Sequence, residues 1–318
     1  AKLTEGEQEL LFTQYNAEND IQGLFDGLVN LIKDKIPLYN RWKQNTSKKV
    51  RDISIPKKSL DSLLRRYVSK IIMQAPCHKN CHGGEKGWSV KRSLEYHLPI
   101  GTTLSFDLSG AFTSVSMQYV FDFYYRLLED KLKDESTRID VAGFLTTLST
   151  VYYEEIDECA LPQGSSISNP LFNRILYPID ELFERACNKR NLKFTRWVDD
   201  FVISGAETNR SLEKIIGAVT IIREDFSISP NKIFFQQNQG VYYLLGHKII
   251  EKMVVPVSKE ESTNRGRLIE PIAFSTWNEF ETGVDPADFR GPGRLSVKEG
   301  GLCIDIEQDG TDGYESWV

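Results

Sequence analysis

The sequence lacks any long hydrophobic run. Among its 318 residues no stretch approaches the roughly 18 apolar residues that indicate a membrane-spanning helix, so none is expected. The first residues, AKLTEGEQELL, lack the basic flank and apolar stretch of a secretory signal. The five cysteines are scattered and odd in number, which fits a protein of the reducing cytoplasm. No internal repeat or low-complexity tract is present.

Charge is spread unevenly along the chain. The whole sequence carries −6, yet residues 33–98 contain 16 Lys or Arg against 5 Asp or Glu. Residues 259–318 show the reverse, with 6 basic against 13 acidic residues and eight glycines. A basic block in an acidic protein is typical of a phosphate-binding surface, although a solvated surface has the same pattern. With 40% hydrophobic residues, the chain can form one large or two modest domains.

Hydrophobic periodicity predicts helices and strands in alternation. Helices are expected over 4–33, 59–72 with Ser59 as the cap, most of 116–155, 168–191 with Pro170 in the first turn, and about 210–224. Strands are expected over 48–56, from 102 to the break at Ser109-Gly110, around Asp199, and in KIFFQQ and YYLLGHKII. The segment RLSVKEGGLCIDIEQDG is predicted to form a short hairpin. A hairpin around the aspartates favours an α+β fold over a doubly wound parallel sheet.

Two adjacent aspartates interrupt an apolar strand in RWVDDFVISG. Asp199 and Asp200 lie between Trp197-Val198 and Phe201-Val202. A turn of aspartates at a hairpin tip is one interpretation, but such tips favour Asn-Gly or Asp-Gly, and Gly205 comes too late in the sequence. The other interpretation is that the two carboxylates bind a metal ion.

A third acid, Asp107, ends the apolar strand in LSFDLSGAF. Taken alone, Asp107 is also typical of a helix or turn cap. Two strands that each bring a carboxylate to one end of a sheet can hold two divalent cations, which clamp the oxygens of a phosphoryl transfer. Mg²⁺ suits such a sparse set of carboxylates, because it keeps water and substrate phosphates as its other ligands.

Seven segments, in order along residues 45–255, carry a family resemblance. They are VRDISIP, HGGEKGWSVKRSLEYH, SFDLSGAFTSV, ALPQGSSISNPLFN, RWVDDF, and ISPNKIFF followed by YYLLGHKI. The chain resembles the bacterial reverse transcriptases, of the retron, group II intron and phage-defence kinds. The resemblance implies a right-hand polymerase with fingers in residues 1–100 and a palm in residues 101–257. Residues 258–318 form an atypical acidic, Gly-rich element where the family has a helical thumb, so the thumb is predicted to be reduced or absent.

The resemblance also assigns roles to the acids. Asp107 and Asp199 correspond to the ligands of two Mg²⁺ ions, for which Mn²⁺ can substitute, with the backbone carbonyl of Leu108 and the carboxylate of Asp200 in support. The three aspartates Asp107, Asp199 and Asp200 are therefore the expected catalytic residues.

The resemblance places the nucleotide among six other residues. Phe112 is expected beneath the sugar, where its ring excludes a 2′-hydroxyl by steric clash. Arg51, with Lys49 nearby, corresponds to the position that meets the triphosphate. Gln163 and Gly164 correspond to residues that border nucleotide and template, and Lys232 to the proton donor of the pyrophosphate. Leu245 and Gly246 correspond to the primer grip.

The sequence departs from the family in several places. Trp197 stands where Tyr is usual, and Asn169 lies where the LPQG helix commonly has a shifted Ser-Pro. Retrons carry Asn-Ala-x-x-His, of which only His97 remains, and a Val-Thr-Gly that IIEKMVVP lacks. The segment CHKNCH has a Cys-x₃-Cys spacing with two histidines that zinc could use, but no second ligand cluster follows, and His82-Gly83 fits the fingers motif without a metal.

The function implied is RNA-directed DNA synthesis from a primer with dNTPs, in antiphage defence with an associated RNA or in a mobile element. Two alternatives stay open: a palm polymerase that needs no template or makes RNA, and a catalytically idle RNA-binding scaffold. The expected partners are an RNA template and DNA product, with a structured RNA, a protein or a second copy as a further partner. That last expectation rests on apolar residues of the acidic tail, namely Ile269, Ile272, Phe274, Trp277 and Phe280.

Overall fold

The structure, a computed structural model, describes residues 38–45, 50–205, 226–228, 232–237 and 240–257, and the backbone of 267–268, 293–298 and 301–306. The predicted helices over 4–33 and 210–224 lie outside these ranges, as does Lys49. Most of the acidic tail, on which the prediction of a reduced thumb rests, also lies outside them. In the part of the chain that is described, no helix has both the length and the apolar character needed to cross a membrane.

Within the described ranges the chain forms seven α-helices and fifteen strands. The helices are α1 (Lys58–Leu63), α2 (Ser69–Ile72), α3 (Val90–Glu95), α4 (Met117–Leu128), α5 (Glu135–Ser149), α6 (Ser168–Ile175) and α7 (Tyr177–Asn188), with a π-helical stretch, Leu64–Val68, between α1 and α2. The strands are β1 (Tyr39–Asn45), β2 (Val50–Pro56), β3 (Thr102–Ser109), β4 (Val151–Tyr153), β5 (Glu158–Ala160), β6 (Lys193–Trp197), β7 (Asp200–Gly205), β8 (Ser227–Ile228), β9 (Phe234–Gln237), β10 (Val241–Leu244), β11 (His247–Ile250), β12 (Met253–Pro256), β13 (Arg267–Leu268), β14 (Gly293–Lys298) and β15 (Gly301–Ile306). The mixture confirms the α+β prediction.

The predicted helix 168–191 is wrong as a single element, because it breaks at Leu176. Pro178 lies at the start of α7. A proline in a helix interior removes one hydrogen bond and clashes with the carbonyl four residues earlier, here that of Arg174. Two helices, α6 and α7, therefore follow one another with a turn between them.

Two other boundaries differ from the prediction. The N-cap of α1 is Lys57 rather than Ser59, because the helix begins directly after β2 ends at Pro56. The helical prediction for 116–155 is wrong at its end, where Val151–Tyr153 pairs with Glu158–Ala160 as a hairpin. Valine and tyrosine are strand formers, and Asp157 takes the positive φ of 51° in the connecting turn. The hairpin predicted after Arg294 is confirmed by the pairing of β14 with β15.

The chain divides into two compact units that interleave along the sequence. The first contains the described residues of 1–75, 115–171 and 291–318, and the second those of 76–114 and 172–290. In the first unit the β1–β2 hairpin is joined to α5 by the Tyr39 hydroxyl, which donates to the carbonyl of Leu148 at 2.7 Å.

The second unit is built on a mainly antiparallel sheet with strand order β13-β9-β3-β7-β6, in which β8 also pairs with β3. Four phenylalanines fill one face of this sheet. The rings of Phe106 and Phe201 stack at 4.9 Å, and Phe183 of α7 lies 5.2 Å from Phe201 and 5.3 Å from Phe194. Burial of such aromatic surface is a large stabilising contribution, so this face is the core of the unit.

The opposite face of the sheet is covered by the small sheet β10-β11-β12. Val202 of β7 packs with Leu94 of α3 and with buried residues of the small sheet, which are Tyr242, Leu244, Ile249 and Val254. Because successive side chains of a strand point to opposite faces, Phe201 and Val202 belong to different layers. At these two residues β7 is therefore enclosed between α7 on one face and the small sheet on the other.

Candidate active site

Asp107 and Asp200 are direct partners across the β3–β7 pairing. One residue further along, the N–H of Leu108 donates to the carbonyl of Asp199 at 3.1 Å. Hydrogen-bonded and non-hydrogen-bonded pairs alternate in an antiparallel ladder, so Asp107 and Asp200 form a non-hydrogen-bonded pair, in which side chains approach most closely. The fold thus brings two of the three predicted catalytic carboxylates to one face of the sheet.

Asp107 is buried, with 5% of its surface exposed. Its Oδ1 has no hydrogen-bond partner among the described residues, and its Oδ2 is paired with the ammonium group of Lys232. A buried carboxylate oxygen without a partner costs about 1–3 kcal/mol or more. A cation that coordinated Oδ1 would remove this cost, so Asp107 fits a metal ligand.

The metal-binding set is otherwise sparse. Among the described residues, no group of three or more His, Cys, Asp or Glu side chains is arranged to hold a metal ion. Magnesium is commonly bound through one or two carboxylates together with substrate phosphates and water. The pair Asp107 and Asp200, with the adjoining backbone of Leu108 and Asp199, satisfies that smaller requirement.

The first interpretation of the adjacent aspartates, a turn at a hairpin tip, is confirmed for Asp199. Val198 and Asp199 are the two turn residues of the β6–β7 hairpin, and Trp197 pairs with Asp200. The expectation that a hairpin tip needs Asn-Gly or Asp-Gly is wrong here, because Val198 itself adopts a positive φ of 58°. A positive φ is unfavourable for a β-branched residue, so holding Val198 in this conformation costs about 1–3 kcal/mol.

A buried arginine holds this strained turn. Arg196 is fully buried, and its guanidinium donates at 2.7 Å to the carbonyl of Val198. It also donates to both carboxylate oxygens of Asp180 at 2.7 and 2.6 Å, and to the side chain and carbonyl of Asn173 at 3.0 and 3.2 Å. Burial raises the pKa of the Asp180 carboxyl, and the Arg196 charge opposes that rise.

The other side of the turn rests on Gly83. A Cβ at this position would lie 2.3 Å from the nitrogen of Val198 and 2.6 Å from the carbonyl carbon of Trp197. Only glycine allows so close an approach of two backbones. The N–H groups of His82 and Gly83 donate to the carbonyl of Arg196 at 2.8 and 3.2 Å, which holds the segment in place.

Phe112 follows β3 in the turn that starts at Gly110, where φ is 55°. Its half-buried ring lies 5.4 Å from that of Phe172. This contact gives the ring support on one side, which a residue that selects by steric exclusion requires. The predicted break at Ser109-Gly110 is confirmed.

Three of the residues predicted to contact the nucleotide, Arg51, Gln163 and Gly164, belong to the first compact unit. The carbonyl of Gln163 accepts from the N–H of Ser54 at 2.8 Å, which attaches the turn to β2. Gly164 has φ of 124°, and a Cβ there would approach the Ser54 carbonyl oxygen to 3.2 Å. Arg51 is exposed on the same strand β2, so the contacts at Ser54 attach the Gln163-Gly164 turn to the strand that carries Arg51.

The predicted primer-grip turn joins β10 to β11. Leu245 and Gly246 both have positive φ, at 49° and 70°. The hairpin is fixed to the large sheet by Gln236 of β9, whose amide donates to the carbonyl of Tyr243 at 2.9 Å and accepts from its N–H at 2.8 Å. Gln236 is completely buried and Tyr243 is half-buried, so this pair of bonds is partly shielded from water.

Three histidines near the aspartate hairpin are used for packing. His78 lies 3.2 Å from Glu184, and His82 bonds to Ser93 and stacks on Trp88. His97 is fully buried between Ser204 Oγ at 2.6 Å and Thr195 Oγ1 at 2.8 Å, which links the loop after α3 to β6 and β7. Burial lowers the pKa of His82 to about 4 and that of His97 to about 3.

Comparison with known families decides the identity of this arrangement. The sequence profile of the family described as reverse transcriptase (RNA-dependent DNA polymerase) matches residues 42–249. The chain belongs to the reverse transcriptase family. The matched reverse transcriptase segment includes the residues of β3, β7 and the β10–β11 turn described above.

Two curated reverse transcriptases are similar to the chain. The retron Mx65 reverse transcriptase of Myxococcus xanthus is 23% identical over 224 residues, covering 67% of this chain and 50% of that protein. The retron Ec86 reverse transcriptase of Escherichia coli is 25% identical over 195 residues, covering 61% and 54%. The chain thus spans about half the length of these relatives.

Among solved structures, apo telomerase from Candida tropicalis truncated from its C-terminal domain aligns with a TM-score of 0.47 and 12% identity, over 69% of this chain and 54% of that one. Telomerase from the same organism in complex with a fragment of telomeric RNA aligns with a TM-score of 0.48 and 14% identity, over 70% and 45%.

Sequence reasoning missed the residues that hold the reverse transcriptase hairpin, namely Arg196, Asp180, Asn173 and Gly83, as well as Gln236. One signal was available for Arg196, since a charge within the apolar run from Phe194 to Ile203 requires a buried partner. The partner is contributed by a different helix, α7, and no local pattern identifies which of its acids turns inward.

Proposed function

We propose that this chain is an RNA-directed DNA polymerase that adds dNTPs to a primer end. The observation that supports this most directly is the pairing of Asp107 with Asp200 at the end of β3, within the segment that matches the reverse transcriptase family. Phosphoryl transfer depends on positioning and on neutralisation of charge, and two opposed carboxylates provide an anchor for the cations that it needs.

The cation that we propose is Mg²⁺, with Mn²⁺ as a substitute. The carboxylates of Asp107, Asp199 and Asp200 and the carbonyl of Leu108 would hold two ions. When bound there, such ions neutralise charge on the attacking and leaving oxygens of the phosphoryl group. The Oδ1 of Asp107, which has no hydrogen-bond partner in the part of the chain that the structure describes, supports this assignment.

The remaining residues of the site bind the nucleotide and the primer. Phe112 excludes the 2′-hydroxyl of a ribonucleotide, and the guanidinium of Arg51, with Lys49, binds the triphosphate. Lys232, whose ammonium group is paired with Asp107, gives its proton to the leaving pyrophosphate.

Two further elements complete the proposed site. Gln163 and Gly164 border the nucleotide and template, and the Leu245-Gly246 turn positions the primer end. The attachment of Gln163 to β2 and that of the primer-grip hairpin to Gln236 support these roles, because both turns are held by hydrogen bonds to backbone groups.

The template is RNA, and we propose a structured RNA or a protein as an additional partner in the bacterial cytoplasm, in a role in antiphage defence. The similarity to two retron enzymes supports a structured RNA as the partner. The apolar residues of the acidic tail support a protein partner. Basic residues of 33–98 would meet the phosphates, so binding will weaken steeply as salt is raised.

Primer extension on a defined RNA template tests the proposal. Four reactions compare dNTPs with rNTPs, each with and without template, in Mg²⁺. Products that require both template and dNTPs are expected. Products from rNTPs would instead identify an RNA polymerase, and products without template a terminal transferase. No product from the purified chain, with or without the RNA that copurifies with it, would leave an RNA-binding scaffold as the function.

A further inference from the structure

Arg196 is an unusual residue for a buried strand, because all of its hydrogen-bonding capacity is used. A guanidinium has five N–H donors. Its Nε and Nη2 reach the carboxylate of Asp180, Nη1 reaches the side chain of Asn173 and the carbonyl of Val198, and Nη2 also reaches the Asn173 carbonyl. The ion pair is completely buried on both sides. A lysine could make three of these bonds at most and has no planar fork.

The hydrogen bond from Arg196 to the carbonyl of Val198 holds the peptide unit that directly precedes Asp199. The carbonyl of Val198 and the nitrogen of Asp199 belong to the same rigid, planar peptide unit. Fixing that oxygen at 2.7 Å therefore fixes the direction in which the chain enters Asp199. Because Val198 is held at an unfavourable φ of 58°, the turn requires such an external restraint.

Asn173 extends this restraint to the other side of the turn. Its Nδ2 donates to the carbonyl of Gly83 at 2.8 Å, while its Oδ1 accepts from Arg196. Gly83 in turn lies directly against the nitrogen of Val198. The turn is thus held from the guanidinium on one side and from the glycine backbone on the other.

We propose that Arg196 is a positioning residue for the active site, and that its buried pair with Asp180 acts by fixing the peptide between Val198 and Asp199. Arg196 is enclosed by protein, so it takes no part in substrate contacts. The inference rests on the proposed function, because it assumes that Asp199 is a metal ligand. It adds that the carboxylate is held in place by a charge pair on the far side of the turn.

The test removes both charges together. Removing one member of a buried pair leaves an uncompensated charge and can unfold a protein, whereas replacing both by apolar residues is often tolerated. The variant Arg196→Met/Asp180→Leu is therefore made, together with Arg196→Lys, which keeps the charge but loses the fork. The matched control is Arg174→Met/Glu85→Gln, which removes another buried ion pair of 3.2 Å and retains an acceptor at position 85 for Asn173.

Three quantities are measured on each variant: the melting temperature, kcat and KM in primer extension, and the affinity for Mn²⁺ without nucleic acid by electron paramagnetic resonance. Supporting residues around a metal site typically change metal affinity or activity by about 10- to 100-fold. For folded Arg196 variants we expect kcat to fall and Mn²⁺ binding to weaken by that order, with KM for primer–template unchanged. The control keeps parental kcat and Mn²⁺ affinity.

Relieving the backbone strain at Val198 should partly restore the activity of the double variant. Glycine adopts a positive φ without steric cost, so Val198→Gly added to Arg196→Met/Asp180→Leu should recover part of the lost kcat and Mn²⁺ affinity. A folded double variant with parental kcat and Mn²⁺ affinity would overturn the inference. If that variant does not fold, Arg196→Lys decides by the same criteria.

The Mn²⁺ measurement separates this inference from the proposed function. If the parent adds no nucleotide to any primer, the proposed function fails, and the Mn²⁺ affinities of parent and variants still determine whether Arg196 positions the carboxylate.

Discussion

The carboxylate of Asp107 stands opposite that of Asp200 on neighbouring antiparallel strands, although 92 residues lie between them in the sequence. Like charges placed directly opposite each other destabilise a sheet. Lys232 compensates part of this charge through its ion pair with Asp107. The arrangement stores an electrostatic cost in the metal-free protein that a bound cation would remove.

Replacing either predicted metal ligand should therefore abolish nucleotide addition without unfolding the protein. We expect Asp107→Asn and Asp199→Asn to lose incorporation, since each removes a charged ligand, and to stay folded because repulsion in the metal-free site decreases. Primer extension and thermal melting measure the two effects. Asp130→Asn changes an exposed aspartate of the other unit and serves as the control. Incorporation by either ligand variant within about tenfold of the parent would contradict the assignment.

The ring of Phe112 is expected to determine the choice of sugar. Phe112→Ala and Phe112→Val should admit ribonucleotides, because the discrimination is steric and the smaller side chains leave room for a 2′-hydroxyl. The ratio of kcat/KM for a dNTP to that for the matching rNTP is the measurement. Phe123→Ala on α4 is the matched control and should keep the parental ratio. An unchanged ratio in the Phe112 variants would show that another residue selects the sugar.

We expect Lys232 to compete with metal for Asp107, because its ammonium group is paired with that carboxylate. In Lys232→Met the carboxylate loses its ammonium partner, so the metal-free protein should be less stable and Mg²⁺ should raise the melting temperature more than in the parent. For a domain of this size, each kcal/mol of difference shifts the melting temperature by about 2–4 °C. Lys70→Met, on the exposed side of α2, is the control. Equal Mg²⁺-induced shifts in parent and Lys232→Met would rule out the competition.

Gln236 and Gln237 are neighbours on β9 with opposite surroundings. Gln236 is buried and bonds to Tyr243, whereas Gln237 is exposed. Gln236→Leu leaves the N–H and carbonyl of half-buried Tyr243 without their side-chain partner, which costs at most about 1–3 kcal/mol for each group. We expect lower stability and a raised KM for primer–template, with KM for dNTP less affected. Gln237→Leu should change neither quantity, and a Gln236→Leu protein with parental KM for primer would show that the hairpin needs no such anchor.

Acid should destabilise the protein through His97. Its pKa is about 6.5 in an unfolded chain and about 3 when folded, because burial disfavours the charged ring. The unfolded state therefore takes up the proton first, and the free energy of unfolding falls as pH drops from about 6.5 to about 3. The slope for one histidine is about 1.4 kcal/mol per pH unit.

Urea unfolding between pH 7.5 and 4.5 measures this slope. His97→Gln should be less stable than the parent at pH 7.5, where the histidine is neutral in both states, and should lose stability less steeply towards acid. The difference in free energy of unfolding between parent and variant at pH 7.5 gives the cost of the substitution itself. Subtracting it from the differences at lower pH leaves the contribution of His97 protonation. Parallel pH profiles for parent and variant would mean that folding does not lower the pKa of His97.

Local sequence patterns predicted the elements that depend on nearby residues. The strand ending at Ser109 and the hairpin around Asp199 follow from apolar runs and their interruptions. The prediction of YYLLGHKII as a single strand is wrong, because the turn at Leu245-Gly246 divides it into β10 and β11. The break at Leu176 could also have been predicted from Pro178, but the apolar periodicity continues across it and concealed the break.

The contacts that hold the site could not be predicted in this way. Arg196 depends on Asp180 and Asn173, which lie on α7 and α6, and Gly83 is needed only because a distant turn approaches it. Such requirements come from tertiary packing, which hydrophobic periodicity does not record. The positive φ of Val198 belongs to the same class, since nothing local to a valine favours it.

The position of β3 at the centre of its sheet has a consequence for synthesis of the protein. Its partners β7 and β9 begin at Asp200 and Phe234, so the ribosome must add 93 residues after Asp107 before Asp200 exists. At about 5–20 residues per second this takes roughly 5–20 s. Throughout that interval the β3 segment lacks both partner strands, and unpaired strand edges favour aggregation. We therefore expect fragments that end before β9 to be less soluble than the whole chain, because β3 then lacks one or both of its neighbours.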